Sequence, residues 1–129
     1  MFTLDQISEA HKSVKTWADF PAYARTITEM GVTAYDTYVN DGHAIYFGNP
    51  ELLTTLPKYE KIEVAQDSNK EKFIERLKIH QNGGSDYMTF CRDCAENGVE
   101  KWTLDMKAGT CSYYDTKGET LIVEHFPIS

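Results

Sequence analysis

Apolar residues recur at helical spacing in four segments of the chain. The first segment predicts a helix over about residues 4–17, and the others predict shorter helices near residues 20–30, 69–81 and 87–97. Residues that cap or end helices flank these segments. They are Thr3 with Gln6, Asp19, Gly31, Ser68 with Glu71, Asn82, Asp86 and Gly98. The periodicity therefore predicts two pairs of helices, one in each half of the chain.

After each predicted helix pair, apolar and polar residues alternate, which is typical of strands. Asp41 and Gly42 predict a two-residue turn between the first two strands. Residues 49–51 are predicted to start a single helical turn that continues through Leu56. The six predicted strands cover about residues 32–40, 43–48, 59–64, 99–106, 110–115 and 120–124.

The two halves of the chain also resemble each other in sequence. Residues Asp19–Val32 align with Asp86–Val99 without a gap, and the match includes identical Asp, Arg, Glu, Gly and Val residues. Aromatic positions continue in the same register: Tyr35 with Trp102, Tyr46 with Tyr113, and Phe47 with Tyr114. This agreement predicts an internal tandem duplication, because aligned glycines and aromatics are folding signals shared by two copies of one unit.

The predicted domain spans residues 1–129, with one repeat unit at about 1–65 and the other at about 66–129. Half a domain of this size would leave one face of its sheet uncovered, so the two units are expected to cover each other around an approximate twofold axis. The predicted fold class is α+β, with a mainly antiparallel sheet. The first unit contains an apparent insertion at residues 49–58, which we regard as a candidate functional segment.

The charge of the chain narrows the classes of partner. With 13 basic and 20 acidic residues among 129, the net charge is −7, so we expect no direct nucleic-acid binding. The N-terminal residues do not resemble a signal peptide, and no apolar stretch approaches the roughly 18 residues of a membrane span. An odd number of cysteines, 3, favours a reducing compartment. We therefore predict a cytoplasmic protein without membrane attachment.

A family resemblance appears in the second half of the chain. The residues that carry it are Gly83-Gly84-Ser85-Asp86-Tyr87, Phe90-Cys91, Ala95, Gly98-Val99, Lys101-Trp102, Asp105, Thr110-Cys111 and Tyr113-Tyr114-Asp115 with Gly118. In these residues the chain resembles the YdfO-like family of small bacterial and prophage-encoded proteins, some of them labelled phage envelope protein. The resemblance covers nearly the whole chain. It implies a compact α+β domain in a bacterial setting, and it implies no catalytic residues.

Cys91 and Cys94 have a spacing found in redox sites and in half of a zinc site. Residues three apart share one face of a helix, however, and the matching residues of the first unit are the apolar Ala24 and Ile27. No second close pair of metal ligands follows in the sequence. We therefore predict no metal site and no cofactor, with the thiols acting as small buried hydrophobes.

Tyrosine and tryptophan are concentrated in the predicted hairpins. Most of these rings should lie in the core, but their polar tips can also line a cleft for a ligand or anchor a partner. The predicted ligand-binding residues are Tyr35, Tyr46, Trp102, Tyr113 and Tyr114. We expect them to line a groove between the two units, with residues 49–58 as its gate.

These features favour a non-catalytic module that binds a small molecule or another protein. One alternative is an enzyme that uses Cys91 or Cys94 as nucleophile with His80 or His43 as base. Another is an acidic accessory protein that acts on a host factor. The sequence leaves the identity of the ligand or partner and the oligomeric state open.

Overall fold

The computed structural model describes residues 2–12, 14, 19–48 and 52–125. Within these ranges the chain forms four helices and six strands, and the order helix-helix-strands occurs twice. The predicted α+β class is therefore confirmed. The elements are α1 (Leu4–His11), α2 (Phe20–Met30), β1 (Ala34–Tyr38), β2 (Ala44–Phe47), β3 (Leu52–Thr54), α3 (Lys70–Gln81), α4 (Tyr87–Glu96), β4 (Val99–Asp105), β5 (Thr110–Asp115) and β6 (Thr120–His125).

The six strands form one sheet in the order β3-β2-β1-β4-β5-β6, and every neighbouring pair is antiparallel. The two units meet at the central pair, β1 with β4. Alternate residues of the strands are buried against the helices, as side chains on one face of a pleated sheet must be. Phe73 of α3 contacts Tyr113 of β5, and Phe90 of α4 contacts Trp102 of β4. We call the other side of the sheet the open face, because no described helix covers it.

The ends of α1 and α2 can be compared with the capping residues predicted for the first unit. Thr3 and Gln6 form the predicted capping box of α1. The helix ends at His11 and Val14 is not helical, so the predicted end near residue 17 is wrong; residues 13 and 15–17 of the predicted helix lie outside the described part. Gly31 ends α2 with φ of 110°, as expected of a left-handed terminator. The prediction for Asp19 is wrong: its backbone is helical (φ −82°, ψ −13°), so its side chain makes no capping hydrogen bond.

In the second unit, one cap is confirmed and one is shifted by a residue. Asp86 caps α4 by accepting a 2.8 Å hydrogen bond from the Thr89 amide. The predicted capping box of Ser68 and Glu71 is wrong, because Asn69 is the residue that caps α3. Its Oδ1 accepts a 3.1 Å hydrogen bond from the Lys72 amide.

The third strand of the first unit is not where the alternation predicted it. Leu52–Thr54 forms β3 and pairs with β2, so the predicted helical turn at these residues is wrong; residues 49–51 lie outside the described part. Phe47 pairs with Leu52, and Tyr114, its counterpart in the second unit, pairs with Thr120. The two hairpins therefore have loops of similar length, and the apparent insertion at 49–58 contains the third strand of the first unit.

The predicted strand at 59–64 is also wrong, because β3 occupies the free edge of β2. We call residues 58–65 the crossing segment. The Ile62 amide donates to the Asn40 carbonyl at 2.7 Å, and the Ala65 amide donates to the Ala95 carbonyl at 2.8 Å. The segment thus leads from the β1–β2 turn to the end of α4. Its alternation arises because Ile62 and Val64 pack against the core while Glu63 is exposed.

No helix in the described ranges is both long enough and apolar enough to span a membrane.

Candidate functional site

The structure places the predicted aromatic residues on two sides of the sheet. Tyr35, Tyr46, Trp102 and Tyr113 are buried between the sheet and the helices. Tyr114 follows Tyr113 directly, so its side chain points to the open face. Four of the five residues therefore share one face, and Tyr114 is separated from them.

The two buried residues of the second unit make tight contacts with the helices. The Trp102 ring lies 5.7 Å from Phe90 and 6.2 Å from Tyr113, and the Tyr113 ring lies 5.1 Å from Phe73. These are ordinary distances between packed aromatic rings. Trp102 and Tyr113 thus have the surroundings of core residues.

The buried tyrosines of the first unit differ because they place several hydroxyl groups together. Tyr35 and Tyr46 lie on neighbouring strands with ring centroids 5.0 Å apart. Tyr23 of α2 is only 2% exposed, and its hydroxyl is close enough to Tyr46 for each to affect the other's pKa. Within the described part of the chain, however, the Tyr23 hydroxyl has no hydrogen-bond partner of acceptable geometry.

One basic side chain, His11, contacts these tyrosines, and a second, Lys58, lies near His11. The His11 ring of α1 contacts the Tyr23 ring edge-on at 5.2 Å. Desolvation lowers the pKa of His11, and the positive charge of Lys58 lowers it further. Desolvation also lowers the pKa of Lys58, although much of this side chain is exposed. We call these five residues the junction cluster: His11, Tyr23, Tyr35, Tyr46 and Lys58.

On its other side, Lys58 is near the Cys91 thiol of the second unit. Desolvation raises the pKa of Cys91, against the opposing effects of Tyr59, Tyr87 and Lys58. The Tyr59 hydroxyl donates a 2.5 Å hydrogen bond to the Val39 carbonyl, which holds the residue after Lys58 against the end of the first hairpin. Lys58 therefore lies where the two helix-helix-strand units meet.

The cysteines are buried and protonated at neutral pH. Cys91, Cys94 and Cys111 are exposed by 0%, 0% and 2%. Burial raises the pKa of Cys94 well above its ordinary value and that of Cys111 to about 12. A thiol in this state is a poor nucleophile, because the thiolate is the reactive form. Among the described residues, no group of three or more His, Cys, Asp or Glu side chains is arranged to hold a metal ion.

The two candidate histidines have partners other than the cysteines. The His80 ring stacks on Phe90 at 4.3 Å, and its Nδ1 lies 3.1 Å from the Ser85 carbonyl oxygen. Desolvation lowers the pKa of His80. His43 stacks on Tyr38 at 4.5 Å, and its Nδ1 lies 2.5 Å from Asp41 Oδ1.

On the open face, a row of side chains extends from the residue before β2 across β1, β4 and β5. Lys101 Nζ lies 5.6 Å from the centre of the Tyr38 ring and 5.5 Å from that of Tyr114. Lys101 also faces Asp36 at 3.8 Å. The ammonium is thus held between two aromatic rings by cation–π attraction. We call His43, Tyr38, Lys101 and Tyr114 the open-face row.

One open depression of about 550 Å³ lies between α1 and α2. It is lined by Asp5, Gln6, Glu9, Ala10, Thr26 and Met30. Its polar side chains are exposed residues on helix surfaces, which are ordinarily solvated. The junction cluster is the stronger candidate site, because it combines basic groups with a buried hydroxyl that has no hydrogen-bond partner in the described ranges.

Tyr23, His11 and Lys58 are not among the ligand-binding residues predicted from the sequence. A signal for Tyr23 was nevertheless present, because it aligns with Phe90 in the second unit. A buried position that gains a hydroxyl in one copy requires a partner for it. His11 and Lys58 gave no comparable signal, since only the fold brings them to the junction.

Comparison with known proteins adds a family but no activity. The family model described as protein of unknown function (DUF1398) matches residues 8–125. A search of curated proteins finds no match.

Proposed function

The chain belongs to the DUF1398 family, whose description assigns no function, and we propose that it is a non-catalytic module that binds a small molecule at the junction cluster. The observation that carries this proposal is the buried Tyr23 hydroxyl, which lies close to Tyr46 but has no partner of acceptable hydrogen-bond geometry among the described residues. Leaving such a group unpaired costs about 1–3 kcal/mol. A bound molecule that accepts its hydrogen would recover part of that cost. Buried polar groups without partners are uncommon in folded proteins.

The position of the cluster adds support. All of its residues belong to the first unit, and Lys58 adjoins Cys91 of the second. The cluster is therefore next to the junction of the units, and such junctions often hold ligand sites. Its basic groups come from α1 and the crossing segment, while its hydroxyls come from α2 and the first hairpin. A ligand at this point would touch elements distant in sequence, so its binding would stabilise their arrangement.

The experiment is a thermal-shift screen of a fragment library against the parent protein, Tyr23→Phe and Tyr38→Phe. We expect ligands that raise the Tm of the parent and of Tyr38→Phe but not of Tyr23→Phe. The Tyr23→Phe protein should fold, because phenylalanine occupies the equivalent position 90. Fragments that stabilise all three proteins equally would argue against the junction site.

The open-face row supports a second candidate function, protein interaction. Tyrosine is enriched in protein interfaces, and an ordered row of rings loses little side-chain entropy on binding. Tyr114, one of the predicted binding residues, belongs to this row. Pull-down with Tyr114→Ala, beside Ser112→Ala on the same strand face, tests it. Equal recovery of a partner by both variants would exclude the row as its docking surface.

The enzyme alternative has less support. The groups that act on the Cys91 thiol in the described part of the chain are Tyr59, Tyr87 and Lys58, not a histidine. The Asp41–His43 pair has the geometry of a general base with its orienting carboxylate, but its function has no further support. An acidic accessory protein that acts on a host factor is also retained as an alternative, on the net charge alone.

The proposal also includes the biological origin of the chain and its cellular location. The motif between residues 83 and 118 supports a YdfO-like, prophage-related bacterial origin. The odd number of cysteines supports a cytoplasmic location.

A further inference from the structure

We infer that the free edge of β3 is a docking site for the same edge of a second copy of this chain, so that two six-stranded sheets join into one. The surface involved is separate from the proposed ligand site. Three features of the segment Leu52–Leu56 lead to this inference: its unpaired backbone groups, its exposed leucines and the symmetry of its sequence.

The hydrogen bonds between β2 and β3 show which backbone groups of β3 face outward. The Thr55 amide donates to the Ala44 carbonyl at 2.8 Å, one residue beyond the end of β3 and in the same register as the pairs within it. In antiparallel strands, residues that bond to the neighbouring strand alternate with residues whose amide and carbonyl face away from it. Leu53 therefore bonds to β2, while Leu52 and Thr54 direct their backbone groups to the free edge.

These outward groups are not used elsewhere in the described part of the chain. Apart from the pairing of β3 with β2, no described residue forms a backbone hydrogen bond with Leu52, Thr54 or Leu56. A row of unpaired amides and carbonyls along a strand is a template for the addition of another strand. The edge of β3 is therefore able to pair with a further strand without any change in the sheet.

The side chains beside this edge are apolar and exposed. Leu52 is 59% exposed and Leu56 is 84% exposed. Leu53 packs against the core, so its neighbours Leu52 and Thr54 point to the open face. Residues 52–56 carry no charge in a chain whose net charge is −7. Two copies of an acidic protein repel each other least where the surfaces that meet are uncharged.

The symmetry of the segment favours a second copy over a strand of another protein. In an antiparallel twofold pairing centred on Thr54, this residue faces Thr54 of the second copy, and Leu52 faces Leu56. Threonine pairs are favourable across strands, and the leucine pairs bury apolar surface that is otherwise exposed. Pro57, which has no amide hydrogen, ends the segment that can pair.

The other free edge of the sheet, on β6, has protection that the β3 edge lacks. Glu124 of β6 points to the helix side of the sheet, where Gln81 donates a 2.7 Å hydrogen bond to it. The register between β5 and β6 is also irregular between Tyr113 and Tyr114. Inward charges and bulges both hinder the pairing of edge strands. The β2–β3 register is regular and residues 52–56 are uncharged, so we assign the docking site to β3.

Sedimentation velocity at protein concentrations from about 10 µM to about 1 mM tests the self-association. The edge is short, so we expect a weak dimer with a dissociation constant on the order of 10–100 µM. The mass should rise from that of the 14.7 kDa chain toward twice that value. A protein that stays monomeric at about 1 mM would overturn the inference and leave a strand of another protein as the occupant of this edge.

Matched proline variants locate the interface. Thr54→Pro removes an amide that faces outward, so it keeps the hydrogen bonds between β2 and β3 and should weaken dimerisation by at least about tenfold. Val123→Pro is the control on β6. Its partner Ser112 aligns with Ile45, the partner of Thr54, and it should change the dissociation constant by less than about twofold. A dimer lost in Val123→Pro and kept in Thr54→Pro would place the interface on β6 and overturn the inference.

An exchange of charges tests the register without proline. Leu52→Lys and Leu56→Glu alter exposed side chains, and each should weaken self-association by about tenfold. An equimolar mixture of the two variants should associate at least about tenfold more tightly than either alone, because the two changed positions face each other in the twofold pairing. A mixture that associates no better than the separate variants would contradict the pairing of these two edges.

Discussion

Thr103 of β4 donates its hydroxyl hydrogen to Asp36 of β1 at 2.6 Å, and the two residues lie directly opposite each other in the central strand pair. They are 67 residues apart, the spacing that also relates Asp19 to Asp86 in the sequence alignment. Equivalent positions of the two units therefore meet where the units join. This register agrees with an approximate twofold axis at that point and supports the proposal of an internal duplication.

The hydrogen bond between Asp36 and Thr103 should stabilise the junction of the two units. We expect Thr103→Val, which keeps the side-chain shape, to reduce the free energy of unfolding by about 1–2 kcal/mol, because a charged acceptor loses its donor. Urea unfolding measures the change. Thr110→Val on the same face of β5 controls for the strand preference of valine, and an equal loss in both variants would contradict the prediction.

Gly42 should tolerate alanine less well than Gly83 does. Both glycines have positive φ, 77° and 82°, so both substitutions carry the same backbone strain of about 1–2 kcal/mol. A Cβ at position 42 would also lie 2.6 Å from Tyr59, whereas nothing lies within 4 Å at position 83. We expect Gly42→Ala to be less stable than Gly83→Ala by a further ~1–3 kcal/mol in urea unfolding.

The steric origin of that difference can be checked in a double variant. Tyr59→Ala should remove the extra cost of Gly42→Ala, because the ring that the new methyl group meets is then absent. Additive effects of the two substitutions would show that the contact with Tyr59 is not responsible.

The three cysteine thiols should not react with a thiol reagent while the protein is folded. We expect Cys91, Cys94 and Cys111 to react with Ellman's reagent at pH 8 at least about a thousandfold more slowly than a free thiol, because reaction requires unfolding. A Lys117→Cys variant provides an exposed thiol as the positive control, and all thiols should react in denaturant. Rapid native labelling of any of the three would return the cysteine enzyme to consideration.

Glu124 should make stability depend on pH. Desolvation raises the pKa of this carboxyl, against a 2.7 Å hydrogen bond from Gln81. The pKa of Glu124 is thus higher in the folded than in the unfolded protein. The stability that this side chain contributes is complete below the pKa of the unfolded protein, about 4.5, and is lost as the pH rises through the pKa of the folded protein. Glu124→Gln keeps an acceptor for Gln81 and removes the charge. It should therefore be more stable than the parent at pH 7, by less than about 1 kcal/mol because the group is partly exposed.

Unfolding at two pH values tests the sign of this effect. The difference in free energy of unfolding between Glu124→Gln and the parent should approach zero at pH 4, because the Glu124 carboxyl is then mostly protonated and uncharged. Glu119→Gln, at an exposed turn position, should show no such dependence. A variant less stable than the parent at pH 7 would mean that the ionised carboxylate is favourable there.

The sequence by itself determined the features that depend on neighbouring residues. The capping box of Thr3 and Gln6 and the cap at Asp86 are interactions over a few residues, so local pattern was sufficient to predict them. The predicted two-residue turn at Asp41 and Gly42 is wrong, because β1 ends at Tyr38 and β2 begins at Ala44, so the connection between them is longer. The strands of the second unit were also predicted correctly, because their alternation and their turns indicate the same boundaries.

Tertiary structure decided the features that depend on competition or on distant partners. Two segments could pair with the free edge of β2: Leu52–Thr54 and residues 59–64. Only the assembled sheet determines which of them does so. Helix and strand periodicity likewise cannot indicate that His11, Tyr23 and Lys58 meet. Their proximity depends on how α1, α2 and the crossing segment pack over the sheet. The candidate site is therefore a property of the fold, because it is built from contacts between segments whose sequences carry no information about one another.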